Sequence, residues 1–228
     1  MGGGRRVLTA VSSTGSGGNM SERASEEAWV FVVDDDRHFL GALENLLSLK
    51  GYRVAAFTSP IAFLDRHDPG RPGCLLLDLQ MSELSGLEVQ AALTARGQSR
   101  PVVFLTGTDR VEEAVSAMKG GALNYLIKPA EPDAVLEAVD NAVQADAAYR
   151  KKRLEAAELL SQWRILSNRE QEVFWYVARG RLNKQIAHDL NITEKTVKVH
   201  RSRMKEKLKL RSTAALVHLA ARIQPLWS

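Results

Sequence analysis

Four places in the sequence put reactive side chains directly after short apolar runs. Asp34, Asp35 and Asp36 follow Val30 to Val33, and Asp78 follows Cys74 to Leu77. Thr106 closes Val102 to Leu105, and Lys128-Pro129 closes Leu123 to Ile127. If these runs are parallel strands, their carboxyl ends are neighbours, and at least three carboxylates share one crevice. Left unpaired, they repel one another. A divalent cation removes the conflict, and an all-oxygen set without His or Cys favours Mg²⁺. Carboxylates, Mg²⁺, a hydroxyl and an ammonium together make a site for a phosphoryl group on Asp78. Asp36 reads as a solvated neighbour or helix cap. His38 and His67 lack ligand companions at useful spacing and read as surface residues, and Cys74 reads as buried packing.

The elements that must position these groups are legible from periodicity. The strands expected are Val30 to Val33, Tyr52 to Phe57, Cys74 to Leu77, Val102 to Leu105 and Leu123 to Ile127. Between them Phe39, Leu40, Leu43, Leu46 and Leu47 recur at helical spacing, with Gly51 as the cap. Ser59-Pro60 opens a short helix, and further helices are expected over Gly86 to Ala95, Val111 to Lys119 and Pro132 to Ala147. Apolar strands alternating with helices predict an α/β unit, a five-stranded parallel doubly wound sheet.

After that the strand signals stop. Residues 148–163 read as a charged, stiff helical linker without Gly or Pro. Ser167 with Glu170 makes a capping box for a helix ending at Gly180. Lys184 to Leu190 is a second helix and Asn191-Ile192 a turn. Thr193 caps a third helix running to about Leu208, and Ser212 to Arg222 is a fourth. This is an all-α helix-turn-helix arrangement of the kind that reads DNA.

Charge separates the two halves. Residues 27–146 carry 10 basic and 18 acidic side chains, net −8, and residues 147–228 carry 18 basic and 7 acidic, net +11. The second half suits a polyanion, and without a lipidation motif nucleic acid is favoured over membrane. Projected as a helix, Val197, Met204 and Leu208 form one stripe flanked by His200, facing the core. Lys195, Lys198, Val199, Ser202 and Lys209 fall opposite. Lysines can bond guanine edges or phosphates, and Val199 can touch a thymine methyl in the major groove. Thr193, Lys195 and Thr196 sit near the helix N-terminus, where phosphates bind, and Lys184 reaches for the backbone from the preceding helix. The single cysteine excludes an internal disulfide. No apolar stretch approaches the ~18–20 residues of a membrane span, and the N-terminus lacks a signal-peptide core, so a cytoplasmic protein is expected. Residues 1–28, rich in Gly, Ser and Thr, read as a flexible tail.

Residues 29–147 resemble a response-regulator receiver domain. The motifs are Val32-Val33-Asp34-Asp35, Leu75-Leu76-Leu77-Asp78, Phe104-Leu105-Thr106-Gly107 and Tyr125-Leu126-Ile127-Lys128-Pro129. The resemblance implies Asp78 as phosphoacceptor and Asp34, Asp35 and the backbone carbonyl of Gln80 as further metal ligands. It also implies that Thr106 and Lys128 hold the phosphoryl oxygens, and that Tyr125 changes rotamer on phosphorylation. After the acceptor, Met81-Ser82-Glu83-Leu84-Ser85-Gly86 replaces the usual Met-Pro-Gly-Met-Ser-Gly, and loss of the proline is expected to loosen that loop. The aromatic often found after Lys-Pro is Ala130.

Residues 164–228 resemble a LuxR-type helix-turn-helix through Thr196-Val197-Lys198-Val199-His200-Arg201 and Asn183-Lys184-Gln185-Ile186-Ala187. Leu182 stands where a capping Ser is common, with Asn183 expected to take over. The pairing is similar to the FixJ-like response regulators of bacteria. It implies a non-enzymatic, phosphorylation-switched transcriptional regulator with a sensor histidine kinase and double-stranded DNA as partners. A homodimer on phosphorylation, pairing through Ala214 to Leu219, and RNA polymerase are further expected partners. The alternative is a DNA-binding regulator whose receiver serves as a phosphorylation-independent partner or ligand module. An aspartyl phosphatase is disfavoured, because Gln80 stands where such enzymes keep a second, proton-transferring Asp.

Overall fold

The computed structural model describes residues 28–107 and 110–226. The chain divides into two compact units, Met1–Ala147 and Ala148–Ser228. In the first, β1 (Trp29–Val33), β2 (Arg53–Phe57), β3 (Gly73–Asp78), β4 (Val102–Thr106) and β5 (Asn124–Ile127) form one sheet in the order β2-β1-β3-β4-β5. Every pairing is parallel. The helices between strands are α1 (Arg37–Leu49), α2 (Pro60–Arg66), α3 (Gly86–Ala95) and α4 (Val111–Lys119), and α5 (Pro132–Arg164) follows the last strand.

The strands are apolar on both faces because both are covered. Val30, Val32, Cys74, Leu76, Val103 and Leu105 pack with Leu40, Leu43 and Leu47 of α1 and Val135 and Val139 of α5. The alternate residues Phe31, Val33, Leu75, Leu77 and Phe104 pack with Phe63 of α2, Val89 and Leu93 of α3 and Ala117 of α4. The period of two thus sorts one sheet into two cores. Of the predicted tail, all but Ala28 lies outside the described residues, and Ala28 is buried in the first core.

Three expectations need correction. The helix expected over Pro132 to Ala147 and the helical linker expected over residues 148–163 form one unbroken helix to Arg164, because the charged stretch beyond Ala147 consists of helix formers and holds no breaker. Its last turns are no mere linker, since Leu159 and Trp163 are buried in the second unit's core. His67 is buried, not a surface residue: its ring stacks on Phe63 at 4.4 Å and its nitrogens lie 2.8 Å from the Phe63 carbonyl and 3.0 Å from Gln98 Oε1. Tyr52 precedes β2, and its phenol donates to Asp140 of α5.

The second unit packs α6 (Asn168–Ala178), α7 (Asn183–Asp189), α8 (Glu194–Lys207) and α9 (Thr213–Ile223) around Phe174, Ile186, Val197, Met204, Leu216 and Ile223. Ser167, Thr193 and Ser212 cap α6, α8 and α9 through their hydroxyls. No described helix is long and apolar enough to cross a membrane.

One glycine holds the start of β3. Gly73 has φ +127°, and a Cβ there would stand 1.8 Å from the Trp29 carbonyl oxygen of β1. Its N–H donates to Asp146 Oδ2 at 2.7 Å. Gly73→Ala is therefore expected to destabilise the first unit by about 3 kcal/mol. Urea unfolding of wild type and variant measures this, and a loss below ~1 kcal/mol would contradict the packing described.

Candidate functional site

The strand ends converge as the parallel order requires. Asp34 follows β1, Asp78 ends β3, Thr106 ends β4 and Lys128 follows β5. Asp34 and Asp78 are buried and Asp35 is exposed, and one carboxylate oxygen from each lies within 4.8 Å of the others. Lys128 Nζ stands 2.5 Å from Asp34 Oδ2 and 3.2 Å from Asp78 Oδ1, so one ammonium serves two acids. The Phe39 ring of α1 covers that ammonium, 4.4 Å from its centroid, a cation–π contact that sequence spacing did not suggest. Asp34 Oδ1 accepts the Asp36 N–H at 3.0 Å. Asp36 itself caps α1, accepting from His38 and Phe39 N–H.

Burial pushes the Asp78 carboxyl above the usual range; Lys128 opposes the shift and Asp34 adds to it. The net raised value marks a carboxylate in a low-dielectric, crowded place, held ionisable by a single cation. Thr106 is fully buried, and its carbonyl accepts the Lys128 N–H at 2.6 Å. Gln80 lies in the loop between β3 and α3. Tyr125 is half-buried on β5, in register with Phe104 of β4 and packed on the α2–α3–α4 side of the sheet.

Two hydrogen bonds tie the loop that lacks the proline. The Ser82 N–H donates to Asp35 Oδ2 at 3.1 Å, and Glu83 accepts from the Ser59 hydroxyl at 2.5 Å. These bonds join segments far apart in sequence, so no local pattern announced them.

In the second unit α8 presents Lys195, Lys198, Val199 and Ser202 to solvent and buries Val197 and Met204. Lys184 of α7 is also exposed. Thr193 and Thr196 are committed to the cap, with Thr193 Oγ1 accepting the Thr196 N–H at 3.1 Å and lying 2.8 Å from the Thr196 hydroxyl. Lys209 is not on the helix face: α8 ends at Lys207, and Lys209 stands beyond it in left-handed backbone, φ +53°. Asn183 does not cap α7. Its Oδ1 accepts from Arg201 at 2.7 Å, while Gln185 Oε1 accepts the Leu182 N–H at 2.9 Å. Leu219 is buried in the unit's own core, which leaves Ala214, Val217 and His218 as the exposed residues of the Ala214 to Leu219 stretch.

Comparison with known proteins places both halves. Residues 30–140 match the response regulator receiver domain, and residues 164–220 match the luxR family of bacterial regulatory proteins. The chain is 38% identical over 199 residues to the response regulator protein TmoT of Ectopseudomonas mendocina, covering 87% of this chain and 90% of that one. It is 37% identical over 191 residues to the transcriptional regulatory protein FixJ of Azorhizobium caulinodans, covering 84% and 90%. Among solved structures, the response regulator StyR superposes with a TM-score of 0.79 at 42% identity, over 86% of this chain and 99% of that one. Full-length FixJ from B. japonicum gives 0.54 at 32% identity, over 87% and 98%.

Not every cation of α8 faces outward. Lys207 Nζ lies 2.6 Å from Oε2 of buried Glu170, which also accepts the Ser167 N–H at 2.8 Å. Burial of Glu170 raises its pKa, but the Lys207 and Ser167 bonds outweigh it, and the carboxyl sits below its ordinary 4.5. A depressed carboxylate contributes stability above its unfolded pKa and loses it as pH falls through the folded value. Lys207→Met should therefore cost about 1–2 kcal/mol at pH 7, less than a fully buried pair because Lys207 is partly exposed. The cost should shrink as pH falls below 4.5, because the wild type then loses the Glu170 contribution that the variant already lacks. Thermal melts across pH 3–7 read both effects, and coincident wild-type and variant curves would remove the pair from the account.

Proposed function

This chain belongs to the response regulators that join a receiver domain to a LuxR-type DNA-binding domain, and from that premise we propose that Asp78 is its phosphoacceptor and that phosphorylation switches its action on DNA. The two domains imply a histidine kinase partner and DNA binding. One observation carries the assignment: Asp78 is the buried acid at the end of the central strand β3, inside a three-carboxylate cluster and 3.2 Å from Lys128 Nζ.

In the transfer, an Asp78 oxygen attacks the phosphorus of a phosphohistidine. The P–N bond breaks as the acyl O–P bond forms, and the leaving imidazole nitrogen takes up a proton. Asp34, Asp35, Asp78 and the Gln80 carbonyl would hold Mg²⁺, and their all-oxygen chemistry fits that ion. Bound there, it supplies neutralisation of the acids and of the phosphoryl oxygens. Lys128 shifts its second interaction from Asp78 to a phosphoryl oxygen, and the Thr106 hydroxyl takes another. Tyr125 then follows the vacated space beside Thr106.

The output is a homodimer on DNA in the cytoplasm. Val111, Val115 and Met118 recur at helical spacing on the exposed side of α4, with Leu123 and Ile127 exposed beside them, an apolar face suited to a second copy. On α8, Lys195, Lys198, Val199 and Ser202 read the major groove, Thr193 and Thr196 fix where the helix starts, and Lys184 and Lys209 hold phosphates from outside it. RNA polymerase is the further partner of such a bound dimer.

Asp78→Asn should abolish labelling by acetyl phosphate with Mg²⁺ on a phosphate-affinity gel. Full labelling of that variant would sink the assignment, and an unlabelled wild type would favour the phosphorylation-independent alternative. On DNA, Lys198→Ala in the phosphorylated full chain should weaken binding by about tenfold and flatten its salt dependence. Arg201→Ala should instead act through stability, because Arg201 is committed to Asn183. Fluorescence anisotropy at two salt concentrations, with thermal melts alongside, separates the two.

A further inference from the structure

Asp35 is the exposed member of the acid cluster. Something must hold its carboxylate toward Asp34 and Asp78 against their repulsion. The Ser82 N–H does so, at 3.1 Å from Asp35 Oδ2. A proline at 82 would have no N–H to offer.

Ser82 is itself held. The loop is pinned at its ends: Gly86 N–H donates to the Leu79 carbonyl at 2.9 Å, and Ser85 caps α3 with the reciprocal Glu88 bond. Its middle is tied across the surface, where Glu83 Oε2 accepts from Ser59 Oγ at 2.5 Å. Ser59 is fixed in turn, because the same oxygen accepts the Ala62 N–H at 3.2 Å as the N-cap of α2. A continuous path of bonds thus runs from the α2 N-terminus through Glu83 and Ser82 to Asp35.

We propose that Ser82 and Glu83 form a clasp that positions Asp35 for the divalent cation, with Ser59 as its anchor. The Ser82 bond occupies Oδ2 and leaves Oδ1 for a metal. Neither residue touches the phosphoryl group, so both are positioning residues. This inference rests on the reading of Asp35 as a metal ligand.

The test uses the full chain and Mg²⁺ alone, with affinity read by calorimetric titration. Ser82→Ala keeps the backbone N–H and should leave Mg²⁺ affinity unchanged. Ser82→Pro removes it and should weaken affinity by about tenfold, the scale of lost outer-shell support. Glu83→Ala should weaken affinity in the same direction, and Glu83→Gln, which keeps an acceptor oxygen for Ser59, should restore it. In acetyl phosphate labelling, the weakened variants should need more Mg²⁺ for half-maximal rate but reach the wild-type rate at saturation. Should Ser82→Pro fail to fold, the Glu83 pair carries the test. Asp35→Ala is the reference: unchanged Mg²⁺ affinity there overturns the metal-ligand reading itself. Weakened affinity in Asp35→Ala with wild-type affinity in Ser82→Pro and Glu83→Ala overturns the clasp alone.

Discussion

Mutual repulsion among three carboxylates at the carboxyl end of a parallel sheet is the constraint around which the first unit is arranged. Each acid is met differently. Asp34 takes the Asp36 N–H and the Lys128 ammonium, Asp35 takes the Ser82 N–H, and Asp78 shares Lys128. The sheet holds the acids together because β1 and β3 are adjacent and parallel, so the ends that follow Val33 and Leu77 have no freedom to separate. Close approach of the flanking loop is built in at Gly86, where a Cβ would stand 2.4 Å from the Asp78 carbonyl oxygen and 2.8 Å from the Phe104 ring. The strain of assembling like charges is thus carried by backbone order established elsewhere in the fold.

The second unit faces the opposite problem, an excess of cations on a small helical core. It sorts them. Lys207 is drawn inward to Glu170 and Arg201 to Asn183, where each ties α8 to another helix. Lys195 and Lys198, one turn apart near the start of α8, stay in solvent with Val199 and Ser202. The helix that offers charge to a polyanion is therefore oriented by its own other charges. Thr193 sets where that helix begins, and Val197 and Met204 set which side is hidden.

Much of this was legible in the sequence, for physical reasons that also define the limits. Strands covered on both faces read as continuous apolar runs, so β1, β3 and β4 appeared within a residue of their true bounds. The convergence of Asp34, Asp78, Thr106 and Lys128 was legible because chemistry in such sheets lies at strand ends, and each of the four follows or closes a run. What escaped depends on contacts between distant segments. His67 looks solvent-bound until Phe63 and Phe31 close over it, and Asn183 looks like a cap until Arg201 claims its oxygen. Lys209 falls on the reading face only if the helix is continued past the backbone turn that ends it. The helicity of α5 beyond Ala147 was legible because no Gly or Pro interrupts it, but the burial of Leu159 and Trp163 escaped, since it depends on helices that come later in the chain.

The switch proposed for this chain follows from a charge imbalance in the pocket. A phosphoryl group on Asp78 brings roughly two negative charges and three acceptor oxygens to a place where one ammonium already serves two acids. Lys128 must redistribute, and its movement is not private. Its N–H is bonded to the Thr106 carbonyl at 2.6 Å, so the two side chains offered to the phosphoryl oxygens are joined through the backbone. Thr106 is in register with Ile127, the neighbour of Lys128 in sequence, and Ile127 is one of the exposed apolar residues beside α4. The distance from the charged pocket to the apolar face is therefore a single peptide unit on β5. In the proposed switch, a displacement of Lys128 and Thr106 toward the phosphoryl group has this short route to that face, through covalent geometry and one strand pairing, beside the movement of Tyr125.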